Sequence, residues 1–145
     1  MNHPTVRQAT RVDLTSIEQL LESASLPTLG VSEHIRHFFV AETEGKIVGA
    51  IGLEVYGETA LLRSAVVASG LQRTGIGGLL YDCNLEQARH IGVRRLILLT
   101  NTAEKYFERK GFKKIDQKSV TGPITTSIEF TGDCPAHAAC MELVL

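Results

Sequence analysis

The stretch that decides the fold runs from Val66 to Gly78 and reads Val-Val-Ala-Ser-Gly-Leu-Gln-Arg-Thr-Gly-Ile-Gly-Gly. It joins an apolar, strand-like run to a helical pattern that begins at Ile76. Glycines let backbone N–H groups approach a ligand, and the first turn of a helix presents unpaired N–H donors at the positive end of its dipole. The stretch therefore predicts an anion site suited to phosphate, with Arg73 able to add a charge-assisted contact. A purely structural turn is the alternative.

The residues of this stretch exclude two common phosphate-binding loops. No Gly-Lys-Ser/Thr follows the stretch, so it is not a P-loop, and the glycine spacing does not fit the dinucleotide-binding pattern Gly-x-Gly-x-x-Gly. The phosphate would therefore belong to another class of ligand.

Outward from this stretch, hydrophobic periodicity predicts alternating strands and helices. The predicted strands are Thr5–Ala9, Phe38–Glu42, Lys46–Tyr56, Thr59–Val67, Arg95–Thr100, Phe112–Asp116 and Ala138–Leu143. The predicted helices are Leu14–Ala24, Ile76–Ile91 and Ala103–Lys110, with short helical segments at Ser32–His37 and Pro123–Phe130. Short gaps between the second, third and fourth strands indicate an antiparallel meander. The fold class expected is α/β, with a mixed, mostly antiparallel sheet flanked by helices.

Composition predicts one ordinary domain spanning residues 1–145. Fifteen basic residues balance sixteen acidic ones, so no nucleic-acid footprint is expected. Three cysteines in a chain of this length do not indicate a disulfide framework. No apolar run reaches the roughly 18 residues of a membrane helix, and the first ten residues lack signal-peptide features. We expect a cytoplasmic protein without a membrane partner.

Two motifs resemble the signatures of the GNAT N-acetyltransferase superfamily. The first is Gln72-x-x-Gly75-x-Gly77 after a strand, and the second is an aromatic residue three positions before Gly-Phe, here Phe107 and Gly111-Phe112. The order of predicted elements also matches the family along essentially the whole chain. The resemblance implies a sheet whose central strands splay apart, and acetyl-CoA as the cofactor in the cleft between them.

The resemblance also implies which residues would contact acetyl-CoA. The pyrophosphate would lie on the loop of Gln72, Arg73, Thr74, Gly75, Ile76 and Gly77. The pantetheine arm would pair with Ala65, Val66 and Val67, and Asn101 and Phe107 occupy further cofactor positions of the family. The spacing from Asn101 to Gly-Phe is one residue shorter than is common in the family.

Acetyl transfer to an amine needs a base, an oxyanion site and a donor for the leaving thiolate. The base candidates are Glu54, Tyr56, Glu58 and His34. Ser64 or Arg63 would bind an oxyanion or a substrate carboxylate, although a structural ion pair is equally open for Arg63. The family tyrosine that protonates the thiolate is replaced by Phe107, and the adjacent Tyr106 is the candidate donor, with packing as its alternative. We predict Glu54, Tyr106 and Ser64 as the catalytic set.

Several stretches further resemble small acetyltransferases associated with arsenic resistance. They are Leu26–Val31, Gly52–Gly57, Ala60–Ser64 and Cys134–Met141. This resemblance implies a small amine acceptor in an arsenic-detoxification context. The motif Cys134-x-x-His137-x-x-Cys140 carries soft ligands for a metal or an arsenical, but buried structural cysteines are the alternative, and no metal site is predicted.

The predicted activity is thus N-acetylation of a small-molecule amine by acetyl-CoA. The competing hypotheses are a non-catalytic acyl-CoA sensor, a thiol-based metalloid-binding protein on the same scaffold, and a protein N-terminal acetyltransferase. A homodimer is compatible with the resemblance, because dimers are common in that family.

Overall fold

The computed structural model describes residues 3–131 and 138–145, which form a mixed sheet with helices. The strands are β1 Thr5–Gln8, β2 Phe38–Thr43, β3 Lys46–Tyr56, β4 Thr59–Val67, β5 Arg95–Thr100, β6 Lys113–Ile115 and β7 Ala139–Val144. The α-helices are α1 Leu14–Ser23, α2 Ile76–His90, α3 Glu104–Arg109 and α4 Ile128–Thr131. Short 3-10 helices cover Arg11–Asp13, Ser32–His37, Gln117–Ser119 and Pro123–Thr126. Cys134 and His137 lie outside the described residues.

The seven strands are ordered β1-β2-β3-β4-β5-β7-β6. The pairs β1–β2, β2–β3, β5–β7 and β6–β7 are antiparallel, whereas β4 and β5 are parallel. The parallel ladder joins Thr59–Leu61 to Arg95–Ile97 and covers only the beginning of each strand. The mixed, mostly antiparallel sheet predicted from the sequence is confirmed, and the short parallel ladder fits the expected splay of its central strands.

The chain divides into two compact units. The first comprises the residues up to Leu53 together with Ser64–Gln87, and the second comprises Glu54–Arg63 and the described part of Ala88–Leu145. The single domain expected from length and composition stays a prediction.

The first unit has an apolar core beneath α1. Ile17 and Leu21, on one face of α1, are fully buried with Phe38. This helix follows a capping box, in which the Asp13 carboxylate accepts hydrogen bonds from the Thr10 N–H at 2.8 Å and the Thr10 hydroxyl at 3.3 Å. The Thr10–Asp13 pair therefore starts the helical segment that leads into α1.

Two glycines of β3 permit close packing in the first unit. A Cβ on Gly49 would lie 2.9 Å from Leu80 of α2, so the absent side chain lets the helix approach the strand. A Cβ on Gly52 would lie 2.3 Å from the ring of Phe38, a distance that real contacts do not reach. The two positions explain why this strand carries glycine where β-propensity alone disfavours it.

The second unit has its own apolar cluster. Leu61, Ile97, Val120, Ile124 and Cys140 are buried together in it. The second unit also contains an aromatic pair, in which the rings of Phe107 and Phe112 meet edge to face with centroids 5.4 Å apart.

The segment Pro123–Phe130, ambiguous in sequence with a short helix favoured, is helical but divided in two. A 3-10 helix ends at Thr126, and α4 begins at Ile128. Ser127 separates them because its backbone is extended, with ψ 145°, and its hydroxyl accepts the N–H of Glu129 at 3.1 Å. Serine in this conformation is a typical N-cap, and it starts a new helical turn. The strand predicted at Phe112–Asp116 is likewise shorter, since only Lys113–Ile115 pairs with β7.

Candidate active site

The loop before α2 forms an open helix N-terminus. Gly70, Arg73 and Gly75 all have left-handed backbones, with φ of 89°, 67° and 92°. The loop is closed by the Thr74 hydroxyl, which donates to the carbonyl of Leu71 at 2.5 Å. Gly70 and Gly75 adopt this conformation without strain because they have no side chain. A side chain at position 75 would disfavour its φ.

The first turn of α2 leaves room for an anion. A Cβ on Gly78 would meet nothing within 4 Å, and one on Gly77 would meet only Val67, at 3.8 Å. α2 is 15 residues long, and the N–H groups of its first turn have no intrahelical acceptor. The Arg73 side chain is exposed beside this turn. The residues present therefore fit a pyrophosphate, which needs several N–H donors and a positive field.

A bulge interrupts β4 at Ser64, whose φ is 61° in the middle of a strand. Strict alternation would place Ala65 on the face of Leu61 and Arg63, but Ala65 is exposed and Val66 is buried instead. β4 is therefore buried continuously from Ala60 to Arg63 and changes its exposure pattern at the left-handed residue Ser64. Of the predicted pantetheine residues, Ala65 is accessible and Val67 is half-buried.

A buried ion pair lies in the second unit, where β3 ends and β4 begins. Arg63 donates from Nη1 to Oε2 of Glu54 at 2.7 Å, and each side chain is only 1% exposed. The Tyr56 hydroxyl donates to Oε1 of the same carboxylate at 2.5 Å. Ser127 adds a hydrogen bond to Glu54. The sequence predicted these residues as separate candidates, and the structure brings Glu54, Tyr56 and Arg63 together.

The contacts of Glu54 make it a weak base. Burial alone would raise its pKa, but hydrogen bonds from Tyr56, Ser127 and Arg63, together with the charge of Arg63, hold the pKa below its ordinary value. Conversely, burial and the bond to Glu54 raise the pKa of Tyr56 to about 12, so its hydroxyl stays protonated. The geometry favours Glu54 as an acceptor that orders its neighbours.

Sequence reasoning missed Glu129, a second carboxylate of this cluster. Its residue is only 9% exposed, and it lies in the electrostatic field of both Arg63 and Glu54. Burial raises its pKa, Glu54 raises it further, and Arg63 opposes the shift. The signal that could have revealed it is its neighbours, since this glutamate stands between the apolar residues Ile128 and Phe130.

The other predicted residues lie in varied environments. Phe107 is buried against Phe112, while Tyr106 is half-buried, with its ring 5.1 Å from that of Phe107 and nearly perpendicular to it. Asn101 is exposed just after β5. Glu58, at the β3–β4 turn, is exposed and lies 3.7 Å from Arg94, so it is not part of the buried cluster. His34 is half-buried in a 3-10 helix of the first unit.

Cys140, the cysteine of the C-terminal motif that the structure describes, does not lie in the environment of a reactive thiolate. Cys140 is 1% exposed in an apolar cluster, and burial raises its pKa to about 11. The thiol is therefore protonated at neutral pH and packs as a small apolar side chain. Within residues 3–131 and 138–145, no three His, Cys, Asp or Glu side chains are grouped to hold a metal ion. None of the described helices is both long and apolar enough to cross a bilayer.

Comparison with known proteins identifies relatives of this chain. Residues 34–114 match the family described as the acetyltransferase (GNAT) domain. An uncharacterized N-acetyltransferase of Chlorobaculum tepidum is 28% identical over 97% of this chain and 93% of its own length. An amino-acid acetyltransferase of Mycobacterium tuberculosis is 32% identical over 83% of this chain and 75% of its own length.

Solved structures agree with the fold. A Mycobacterium tuberculosis protein in complex with CoA has a TM-score of 0.82 at 27% identity, covering 97% of this chain and 99% of that one. The N-acetylglutamate synthase of Neisseria gonorrhoeae, complexed with coenzyme A and N-acetyl-glutamate, has a TM-score of 0.83 at 21% identity. It covers 99% of this chain and 35% of its own, and it supports the fold alone.

Proposed function

Because the chain belongs to the GNAT acetyltransferase family, we propose that it transfers the acetyl group of acetyl-CoA to the α-amino group of an amino acid. The observation that carries the donor half is the open, glycine-lined N-terminus of α2. The acceptor class rests on a relative that is named an amino-acid acetyltransferase and is 32% identical to this chain.

In the first unit, we assign the donor to the loop and bulge described above. Backbone N–H groups of Gly75–Gly77 would hold the pyrophosphate, with Arg73 adding charge. The bulge residue Ser64 and the segment Ala65–Val67 would align the pantetheine arm. Acetyl-CoA supplies an activated acyl carbon and a thiolate leaving group. A backbone N–H near Val67 would stabilise the oxyanion, since such donors act most strongly where they are preorganised.

In the second unit, the buried polar cluster suits a zwitterionic acceptor. An amino acid brings an ammonium and a carboxylate, and both charge types are present in Arg63 and Glu129. The Tyr56 hydroxyl donates a hydrogen bond to Glu54, the partner of Arg63, and would restrain the movement of this ion pair when an acceptor binds. We keep Asn101 and Phe107 as cofactor contacts and Tyr106 as the donor to the departing sulfur, each as a proposal.

Other predictions from the sequence remain predictions. None of the relatives described above is named for arsenic resistance, so the arsenic context is still a hypothesis about the acceptor. A homodimer and a cytoplasmic location are also expectations. An acyl-CoA sensor differs from the proposed enzyme in one respect, because it would bind acetyl-CoA without turnover.

A pair of glycine variants tests the donor site. Gly75 and Gly92 lie beyond opposite ends of α2 and share a left-handed backbone, with φ of 92° and 89°. Valine strains either position similarly, so the two variants should lose comparable stability. By isothermal titration calorimetry, G75V should weaken acetyl-CoA binding at least about tenfold, whereas G92V should keep it within about twofold of wild type.

Turnover tests the acceptor. Each proteinogenic amino acid is incubated with acetyl-CoA and wild-type protein, and released CoA and the N-acetyl product are measured. Saturable acetylation of an amino acid supports the proposal. Folded protein that binds acetyl-CoA but acetylates none of them contradicts it, and protein that does not bind acetyl-CoA contradicts the donor site as well.

A further inference from the structure

We propose that Glu129 is the general base that takes the proton from the acceptor ammonium, and that Ser127 positions it. The inference rests on the proposed function and names a residue for it. Two carboxylates lie in the buried cluster, and their surroundings assign them different tasks. Glu54 is held by three donors, whereas among the described residues no side chain donates a hydrogen bond to the carboxylate of Glu129.

The local backbone fixes the position of Glu129. The Ser127 hydroxyl caps α4 by accepting the N–H of Glu129 at 3.1 Å, and Ser127 itself is 3% exposed. The same side chain hydrogen-bonds Glu54 and Tyr56. Ser127 thereby connects the residue that carries the second carboxylate to the ordered pair, and it is a positioning residue for Glu129.

The charges around Glu129 set when it accepts a proton. The charged groups that act on it are Arg63 of β4 and Glu54 of β3. Burial and Glu54 favour its neutral form, while Arg63 moderates the shift. A base works best when its pKa lies near the working pH, and a carboxyl raised from its ordinary value is closer to neutrality than Glu54 is.

The proposed step balances its protons. The acceptor ammonium gives one proton to the Glu129 carboxylate and becomes a neutral amine. Its lone pair forms the C–N bond at the acetyl carbon, and the C–S bond breaks as the tetrahedral centre collapses. Tyr106, the proposed donor, gives its proton to the departing thiolate and takes the second proton of the nitrogen, so CoA leaves as a thiol. Glu129 then releases its proton to solvent, and the net products are an amide, CoA and one proton.

The test compares pH profiles of kcat/KM for wild type, E129Q, E129D and the control E86Q, which changes an exposed glutamate on α2. Wild type and E86Q should share an acidic limb and agree within about twofold. E129Q should lose about 100-fold or more in kcat/KM, since general-base catalysis contributes about 10²–10⁴-fold, and should lose the acidic limb. E129D should retain the limb at a lower rate.

Acetyl-CoA affinity separates failure of this proposal from failure of the proposed function. If wild type binds acetyl-CoA and acetylates amino acids, but E129Q stays within about threefold with its acidic limb intact, the base assignment is overturned. If E129Q misfolds, carbon-13 NMR titration of Glu129 in wild type decides instead. A Glu129 pKa above its ordinary value that matches the limb supports the role, and a pKa at or below that value refutes it. S127A should shift this titration if Ser127 positions the base.

Discussion

Replacing Glu54 by glutamine should destabilise the protein strongly. The change keeps the shape of the side chain but removes its charge, and it leaves the Arg63 guanidinium, which is 1% exposed, without its ionic partner 2.7 Å away. Removing one partner of a buried pair typically costs about 3–5 kcal/mol. Glu129 lies in the field of Arg63 and compensates in part, so the expected loss is about 3 kcal/mol.

Urea unfolding at neutral pH, followed by circular dichroism, measures this loss as a free energy of unfolding. A thermal melt should show the midpoint lowered by about 6–12 °C, because about 1 kcal/mol corresponds to about 2–4 °C in a domain of this size. E58Q provides the control, since it removes the Glu58–Arg94 pair, whose side chains are more than 70% exposed, and should lose less than about 1 kcal/mol.

The double variant E54Q/R63M gives a further check on the cause. Methionine removes the stranded cation, so the double variant should be more stable than E54Q alone. Equal losses in E54Q and E58Q, or a double variant as unstable as the sum of its single changes, would refute the reasoning that an unpaired buried charge dominates.

Two other predictions concern the first unit. G52A should lose about 1–3 kcal/mol of unfolding free energy, because its Cβ would lie 2.3 Å from the Phe38 ring, and F38L should recover part of this loss in G52A; unchanged stability in urea would contradict the overlap. Asp13 has its pKa lowered from 3.8 to about 2, first by its hydrogen bonds from Arg7, so its contribution is present above about pH 4 and disappears as pH falls through about 2. D13N should therefore lose on the order of 2 kcal/mol at pH 7 and much less at pH 2, and a difference that does not depend on pH would exclude this linkage.

Local sequence signals predicted the sheet well. Apolar runs placed β3, β4 and β5, and the short gap predicted between β2 and β3 is a turn at Glu44-Gly45 with positive φ at both residues. The Gly-rich stretch likewise predicted the start of α2 at Ile76. These features depend on neighbours in the chain, so periodicity and turn chemistry are sufficient to find them.

The buried polar cluster depends on contacts that sequence spacing does not encode. Glu54 is paired with Arg63, nine positions away, and that pairing follows from two neighbouring strands. Glu129 belongs to the same cluster although it lies 75 positions after Glu54. Its position depends on a break between two helical segments at Ser127, which helix propensity alone does not predict. A carboxylate is identified as an ordered acceptor or a candidate base only when its neighbours are known.

The bulge at Ser64 has a consequence for how such an enzyme diversifies. It falls at a boundary between the two compact units, with Arg63 ending one segment and Ser64 starting the next. Substitutions of the buried charged residues within Glu54–Arg63 do not change the sequence of the loop Gln72–Gly77. Under the proposed assignment, substitutions in Glu54–Arg63 would alter acceptor preference while the segment from Ser64 onward, which is proposed to bind acetyl-CoA, keeps its sequence.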